Sequence, residues 1–254
     1  MVALVTGAAG GIGAAIARTL GEEGIAVAAL DRDEAGLREL AGKLEADGLR
    51  VAAFPVDVAS SAQVEAVVEA AERLLGPVTK LVNAAGVLRT GRAVTMSDAD
   101  WAATFAVNVD GVFHVSRAVV SRMVPRRAGA VVTVASNAAL VARADMAAYA
   151  ASKAAATAFT KSLGLEVAGY GIRCNVVTPG SVDTPMLSAL WSDHDRALRS
   201  SIEGKPRAYR TGIPLGKVAS PADIAHTVAF LLSEKASHIT LQHLTVDGGA
   251  ALGA

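Results

Sequence analysis

The sequence predicts a single α/β domain: a doubly wound parallel β-sheet of about seven strands with helices on both faces. Three observations predict it. Apolar runs alternate with helical patterns from end to end, the order of a parallel sheet with right-handed crossovers. Hydrophobic residues make up 52% of the 254 residues but aromatic residues only 4%, so Ala, Val, Leu and Ile must build the core, as in a sheet buried on both faces. No internal repeat, linker or low-complexity tract divides the chain, so residues 1–254 read as one domain.

In chain order, residues 2–6 read as strand and 11–23 as helix. Strand 26–30, helix 34–46, strand 51–55 and helix 60–75 follow. A short strand at 81–83 leads into a long helix at 98–122. Strand 130–135, helix 146–169 and strand 173–178 come next, and helix 221–233 and strand 244–246 close the pattern. Ser60 and Gln63 fit a capping box. Ser220 places a capping hydroxyl before Pro221 at the first helical position. Gly48 and Gly76 sit where helices should stop. Residues 181–212 break the alternation. They carry Trp191, several charges, Gly204 and Pro206, and are too long for an ordinary connection, so a substrate lid is expected there.

Composition excludes several functions. Twenty-four Lys and Arg balance 24 Asp and Glu, so no global field attracts nucleic acid or an acidic membrane, and neither is expected as a partner. No apolar run reaches about 18 residues, which argues against a membrane span. The first strand starts at once, leaving no room for a signal peptide, so the cytoplasm is the expected compartment. The one cysteine, Cys174, lies in a buried strand pattern and reads as a small core residue. The five histidines lack metal-ligand spacing, so no metal is expected.

Thr6-Gly7-Ala8-Ala9-Gly10-Gly11-Ile12-Gly13 joins the first strand to the first helix. Glycines at 7, 11 and 13 let the backbone turn sharply and approach a pyrophosphate, which the helix N-terminus favours. Its place in the first βα unit is that of a Rossmann-type dinucleotide site. Asp31 ends the second strand, where a carboxylate can accept hydrogen bonds from both adenosine ribose hydroxyls and repel a 2′-phosphate. It points to NAD, although neighbouring Arg32 could bind such a phosphate. Asp57 and Val58 follow the third strand and could reach the adenine; Asp57 could equally cap a helix. Small residues in Asn83-Ala84-Ala85-Gly86 allow the cofactor to lie across the strand ends, or serve close strand–helix packing.

Tyr149-Ala150-Ala151-Ser152-Lys153 places Tyr149 and Lys153 on one helical face. A phenol titrates near pH 10, so a tyrosine acting as base near neutrality must have its phenolate stabilised by about 2–3 units, roughly 3–4 kcal/mol. A lysine ammonium and the charge of an oxidised nicotinamide could supply that. Ser136 ends a strand, where its hydroxyl could polarise the substrate oxygen. Asn108, inside the long helix, either bonds the helix backbone or holds a water linked to Lys153. Ser136 lacks a G-x-S-x-G elbow, which disfavours a serine hydrolase.

The glycine loop, Asn83-Ala84-Ala85-Gly86, Asn108, Ser136, Tyr149, Lys153 and Pro179-Gly180, in this order along nearly the whole chain, resemble the short-chain dehydrogenase/reductase family. The resemblance implies a catalytic tetrad of Asn108, Ser136, Tyr149 and Lys153, with Lys153 also holding the nicotinamide ribose. It also implies that Pro179, Gly180, Val182 and Thr184 run along the nicotinamide, and that the protein is a homotetramer. Residues 81–89, 104–109, 173–181 and 212–217, with the tail from Ser237 to Ala254, are similar to one branch of that family. Its members oxidise 2,3-dihydro-2,3-dihydroxybenzoate to the catechol acid of catecholate siderophores.

A substrate of that branch is a small carboxylated cyclohexadiene, and Arg89 and Arg143 are the candidates to bind its carboxylate. Met146, Met186 and Trp191 could line the pocket, with Ser136 and Tyr149 at the reacting carbon. Arg210 reads as surface more readily than as a ligand. The loop from Asn137 to Arg143 departs from some relatives, which carry a histidine there. An amine at ring C2, as in trans-2,3-dihydro-3-hydroxyanthranilate, therefore stays open. So do a different short-chain alcohol dehydrogenase activity, a 3-oxoacyl reductase, which Asp31 disfavours, and a non-catalytic dinucleotide sensor.

Overall fold

The computed structural model describes residues 1–188 and 194–254, with the backbone alone at His194 and Ala197. Seven parallel strands form one sheet: β1 (Val2–Thr6), β2 (Ala26–Asp31), β3 (Val51–Pro55), β4 (Val78–Asn83), β5 (Gly129–Val134), β6 (Ile172–Pro179) and β7 (His243–Val246). Their order is β3-β2-β1-β4-β5-β6-β7, so the direction of winding reverses between β1 and β4. The helices are α1 (Gly11–Glu22), α2 (Glu34–Ala46), α3 (Ser61–Leu75), α4 (Asp98–Phe105), α5 (Val112–Arg126), α6 (Ala147–Val167), α7 (Pro185–Ser188), α8 (His194–Glu203) and α9 (Pro221–Leu232).

Alternation along each strand divides the core into two layers. Val5, Val27, Val82 and Val132 face α1, α2 and α9, where Ile16, Leu37 and Val228 cover them. Leu4, Ala28, Leu81 and Val131 point the other way, against Val68 of α3 and Val119 and Met123 of α5. Burial of both faces explains why the strands read as continuous apolar runs. Register brings the strand ends level: Thr6 pairs with Leu30 and Asn83, and Asn83 with Thr133. The level carboxyl ends at the β1–β4 reversal leave the crevice where open α/β sheets bind ligands.

Three local expectations need correction. β4 starts at Val78, not at 81. Thr79 and Lys80 interrupt the apolar pattern, but Lys80 is buried and donates its ammonium hydrogen bond to the Leu232 carbonyl at 2.5 Å. Ser60 caps α3 by accepting from Gln63 N, yet the Gln63 amide oxygen accepts from Asp57 N, so no reciprocal box closes there. The box forms instead between Ser220 and Asp223 at the start of α9. The long helix at 98–122 also runs on to Arg126 and contains a π-helical stretch, Ala106–Gly111, between α4 and α5.

Residues 181–212 supply α7, α8 and a tight hairpin at 205–210 on the cleft side of the sheet. Trp191 lies outside the described residues. Among the described residues no helix is long and apolar enough to cross a membrane.

Candidate active site

The glycine loop is held against both neighbouring strands. Ala8 N donates to the Leu30 carbonyl at 3.0 Å, and Ala9 N to the Asp31 carboxylate at 3.1 Å. Gly7 has φ +69, and a side chain there would bring its Cβ within 2.7 Å of the Ala85 backbone. A Cβ on Gly13 would collide with the Gly7 carbonyl, and one on Gly11 would sit 2.8 Å from Thr184 Cγ2. No side chain caps the first turn of α1. Its amide groups therefore face the crevice with the positive end of the helix dipole, as a pyrophosphate requires, so the loop fits a dinucleotide.

Asp31 stands beside this loop, and its second carboxylate oxygen accepts from Asp33 N at 3.1 Å. Each oxygen keeps a lone pair for a further donor. Arg32 is exposed. Asp57 is also exposed and accepts from Ala59 N in a turn ahead of α3, whose cap is Ser60, while Val58 is buried against Gly111. Ala84 and Ala85 donate their backbone hydrogen bonds to Thr6 Oγ1 at 3.0 and 3.1 Å, which ties the β4 turn to β1. Asn83 does not present its side chain to the crevice. Its amide is buried and donates to Ser116 and Thr133, because the residue ends β4 pointing between β5 and α5.

Asn108 sits in the π-helical stretch, where an added backbone residue turns its amide out of the helix. That amide bonds neither its own helix nor Lys153. It accepts from Val87 N at 2.8 Å and donates to the Val87 carbonyl at 3.0 Å and to Ser152 Oγ at 2.9 Å. Ser152 donates in turn to the Tyr149 carbonyl at 2.8 Å. Asn108 thus joins the β4 turn to the helical turn that carries Tyr149.

Lys153 is buried, and its ammonium donates to the Val134 carbonyl at 2.9 Å. A side chain on Gly86 would approach that nitrogen to 3.1 Å, so glycine keeps the ammonium's space open. The nitrogen lies 5.9 Å from the Tyr149 ring centroid. Burial lowers the Lys153 pKa from 10.5 to about 8. Burial also pushes the Tyr149 phenol upward, and the Ser136 hydrogen bond pulls it back only in part. The surrounding protein groups therefore favour the neutral phenol, and a base role needs added positive charge beside it.

Ser136, Tyr149, Ile12, Pro179, Gly180, Val182 and Thr184 all face one cavity of about 370 Å³, within the usual range for small-molecule sites. Met146, Met186 and Arg143 share its wall. Arg89 does not: it is half-exposed and pairs with Asp100 at 2.7 Å, a surface contact that holds it outside. Arg210 does face the cavity, contrary to the surface reading. Sequence reasoning also passed over Thr6 and Ser152, both of which lie inside the motifs that carry the site. It missed Asn137 as well, whose amide donates to buried Asp247 at 3.0 Å.

Three comparisons bear on this geometry. The family described as short chain dehydrogenase matches residues 1–195. The chain is 52% identical over 252 residues to 2,3-dihydro-2,3-dihydroxybenzoate dehydrogenase of Bacillus subtilis (strain 168), covering 99% of this chain and 96% of that protein. It is 46% identical over 253 residues to the Escherichia coli (strain K12) protein of the same name, covering 98% and 96%. An actinorhodin polyketide ketoreductase solved with NADPH superimposes with a TM-score of 0.90 at 37% identity, over 98% of this chain and 97% of that one.

Proposed function

This chain belongs to the short-chain dehydrogenase family, and we propose that it oxidises C3 of 2,3-dihydro-2,3-dihydroxybenzoate with NAD, giving 2,3-dihydroxybenzoate for catecholate siderophores. The family uses a nicotinamide dinucleotide, which takes up the hydride released from C3. The observation that carries the substrate reading is the cavity itself. It sets Tyr149 and Ser136 in the same wall as the guanidinium of Arg143, so one small ring can meet a proton acceptor and a cation together.

In this reading Ser136 donates to the C3 oxygen and positions it, and Tyr149 accepts the hydroxyl proton as C3 becomes a carbonyl. Lys153 would hold the nicotinamide ribose and lend positive charge to the phenolate. Asn108 keeps the Tyr149 turn in place through Ser152. The 2-hydroxy-3-oxo ring then moves its C2 proton to the C3 oxygen and becomes aromatic, which draws the oxidation forward. Gly7, Gly11, Ile12 and Gly13 would cradle the pyrophosphate, and backbone at Asn83, Ala84 and Gly86 would let the cofactor pass. Pro179, Gly180, Val182 and Thr184 would flank the nicotinamide.

The preference for NAD rests on Asp31. Its carboxylate is fixed beside the loop by Ala9 N and Asp33 N and is aimed where a 2′-phosphate would be repelled. A cytoplasmic homotetramer completes the reading. Exposed apolar side chains at Trp101, Phe113 and Leu165, and at Phe230, Leu244 and Leu252, support association.

The test is reduced-cofactor formation between about pH 7 and 9 from the diene diol acid, its C2 amino analogue, simple alcohols and a 3-hydroxyacyl thioester. Turnover of the acid with NAD over NADP is expected. Preference for the amino analogue or the thioester, or for NADP, would overturn the corresponding part.

A further inference from the structure

We infer that Arg210 is the second arm of a two-arginine clamp, with Arg143, that selects carboxylated substrates; the inference rests on the dehydrogenase reading above. The charge of the cavity is the first ground. The chain has a formal net charge of zero, yet among the described residues the cavity lining includes Arg143, Lys205 and Arg210 against one carboxylate, Asp145. A local excess of cations in a neutral chain marks where an anion is to be bound.

The second ground is how Arg210 is held. It closes a hairpin in which Lys205 N donates to the Arg210 carbonyl at 2.9 Å and Arg210 N donates back at 3.2 Å. Glycines flank the hairpin at positions no larger residue fits. Gly204 has φ +78, with the Gly212 nitrogen 2.5 Å from any Cβ, and a Cβ on Gly212 would collide with the Ile202 carbonyl. The guanidinium then donates to Ser181 Oγ at 3.1 Å. The hairpin fixes where the Arg210 side chain starts, the Ser181 contact holds its far end, and the residue lines the cavity.

The third ground is the want of a direct ion pair. Among the described residues neither Arg143 nor Arg210 has a carboxylate within ion-pair distance. Burial weakens the charged form of both; Asp247 offsets this in part for Arg143 through space, whereas Arg143 weakens that of Arg210 further. Two partly buried like charges side by side are relieved by a bound carboxylate, which can take one bidentate contact and a second cation. Arg210 comes from the 181–212 segment and Arg143 from the loop after β5. A carboxylate between them therefore also joins the 205–210 hairpin to the loop after β5.

The experiment is direct titration of the cofactor-loaded enzyme with 2,3-dihydroxybenzoate and with catechol, which lacks the carboxylate, in wild type, R210Q, R210K and R143Q, alongside turnover of the diene diol acid and the neutral diene diol. Wild type should bind the acid more tightly than catechol. R210Q should weaken the acid by about 10- to 100-fold and leave catechol within about 2-fold, with partial rescue by R210K. If R210Q weakens both ligands alike, or neither, the clamp is wrong. If wild type discriminates the carboxylate through Arg210 but fails to oxidise the diene diol acid, the clamp stands and the substrate reading falls. Oxidation of the acid with undiminished discrimination in R210Q retains the reading and rejects the clamp.

Discussion

The Lys153 ammonium lies 5.9 Å from the Tyr149 ring centroid and is anchored to the Val134 carbonyl at 2.9 Å, not to the phenol itself. It therefore acts on tyrosine through space. Burial raises the phenol's pKa, so a base role for the tyrosine needs further positive charge beside it. Tyr149→Phe keeps the ring's packing and removes the proton acceptor. Activity should fall by at least about 10²- to 10⁴-fold, with cofactor affinity unchanged in a fluorescence titration. Loss of cofactor binding in proportion would move Tyr149 from chemistry to binding.

Lys153→Met makes a pH prediction. The folded-state pKa is depressed to about 8 from 10.5, so between those values the unfolded chain carries more protons than the folded one. Stability of the wild type then rises with pH through that window, and below pH 8 the burden of the buried ammonium is fully present, on the order of 3 kcal/mol. The methionine variant lacks this slope. Urea unfolding of both proteins at pH 7 and pH 10 should show wild type gaining on the variant at the higher pH; parallel profiles would refute the depressed value.

Asn108→Ala should cut the links from the π-helical stretch to Val87 and Ser152. Leaving the Val87 amide unsatisfied costs about 1–3 kcal/mol. The expected signature is a lower kcat with KM little changed, because the Tyr149 turn loosens while the pocket wall stays. A KM effect alone would place Asn108 in substrate binding.

Gly13→Ala inserts a methyl into the Gly7 carbonyl. The start of α1 must shift away from the crevice. Cofactor affinity should fall by about tenfold or more, with stability lower by about 1–3 kcal/mol. Unchanged affinity would detach the glycine loop from the dinucleotide.

Cys174 is buried in β6, and burial pushes its thiol up to about 12. Alkylating reagents should leave it untouched in the native protein at pH 8 and modify it on unfolding, at the rate of global opening. Rapid native labelling would contradict its place in the core.

The seven strands and their helices were legible because apolar runs and turn residues repeat the same unit along the chain, and the relatives at 52% and 46% identity agree with the family read from the motifs. What stayed hidden depends on contacts between distant segments. Lys80 reads as a strand breaker until Leu232 is seen to accept its hydrogen bond. Arg89 and Arg210 are both arginines near loops. Only the Asp100 pair of one and the Ser181 contact of the other show which faces the cavity. Asn83 ends a strand at the crevice, yet the direction of its side chain is set by Ser116 and Thr133, far away in sequence. The π-helical stretch at Asn108 leaves no mark in an amphipathic pattern.

Deuterium placed at ring C3 of the diene diol acid tests the central claim most directly. Mass spectrometry after a single turnover should find the label on reduced NAD, one for each 2,3-dihydroxybenzoate formed, and none on the product ring. Label kept in the ring, or an aromatic product formed without reduced cofactor, would contradict hydride transfer from the carbon that Ser136 and Tyr149 are argued to hold.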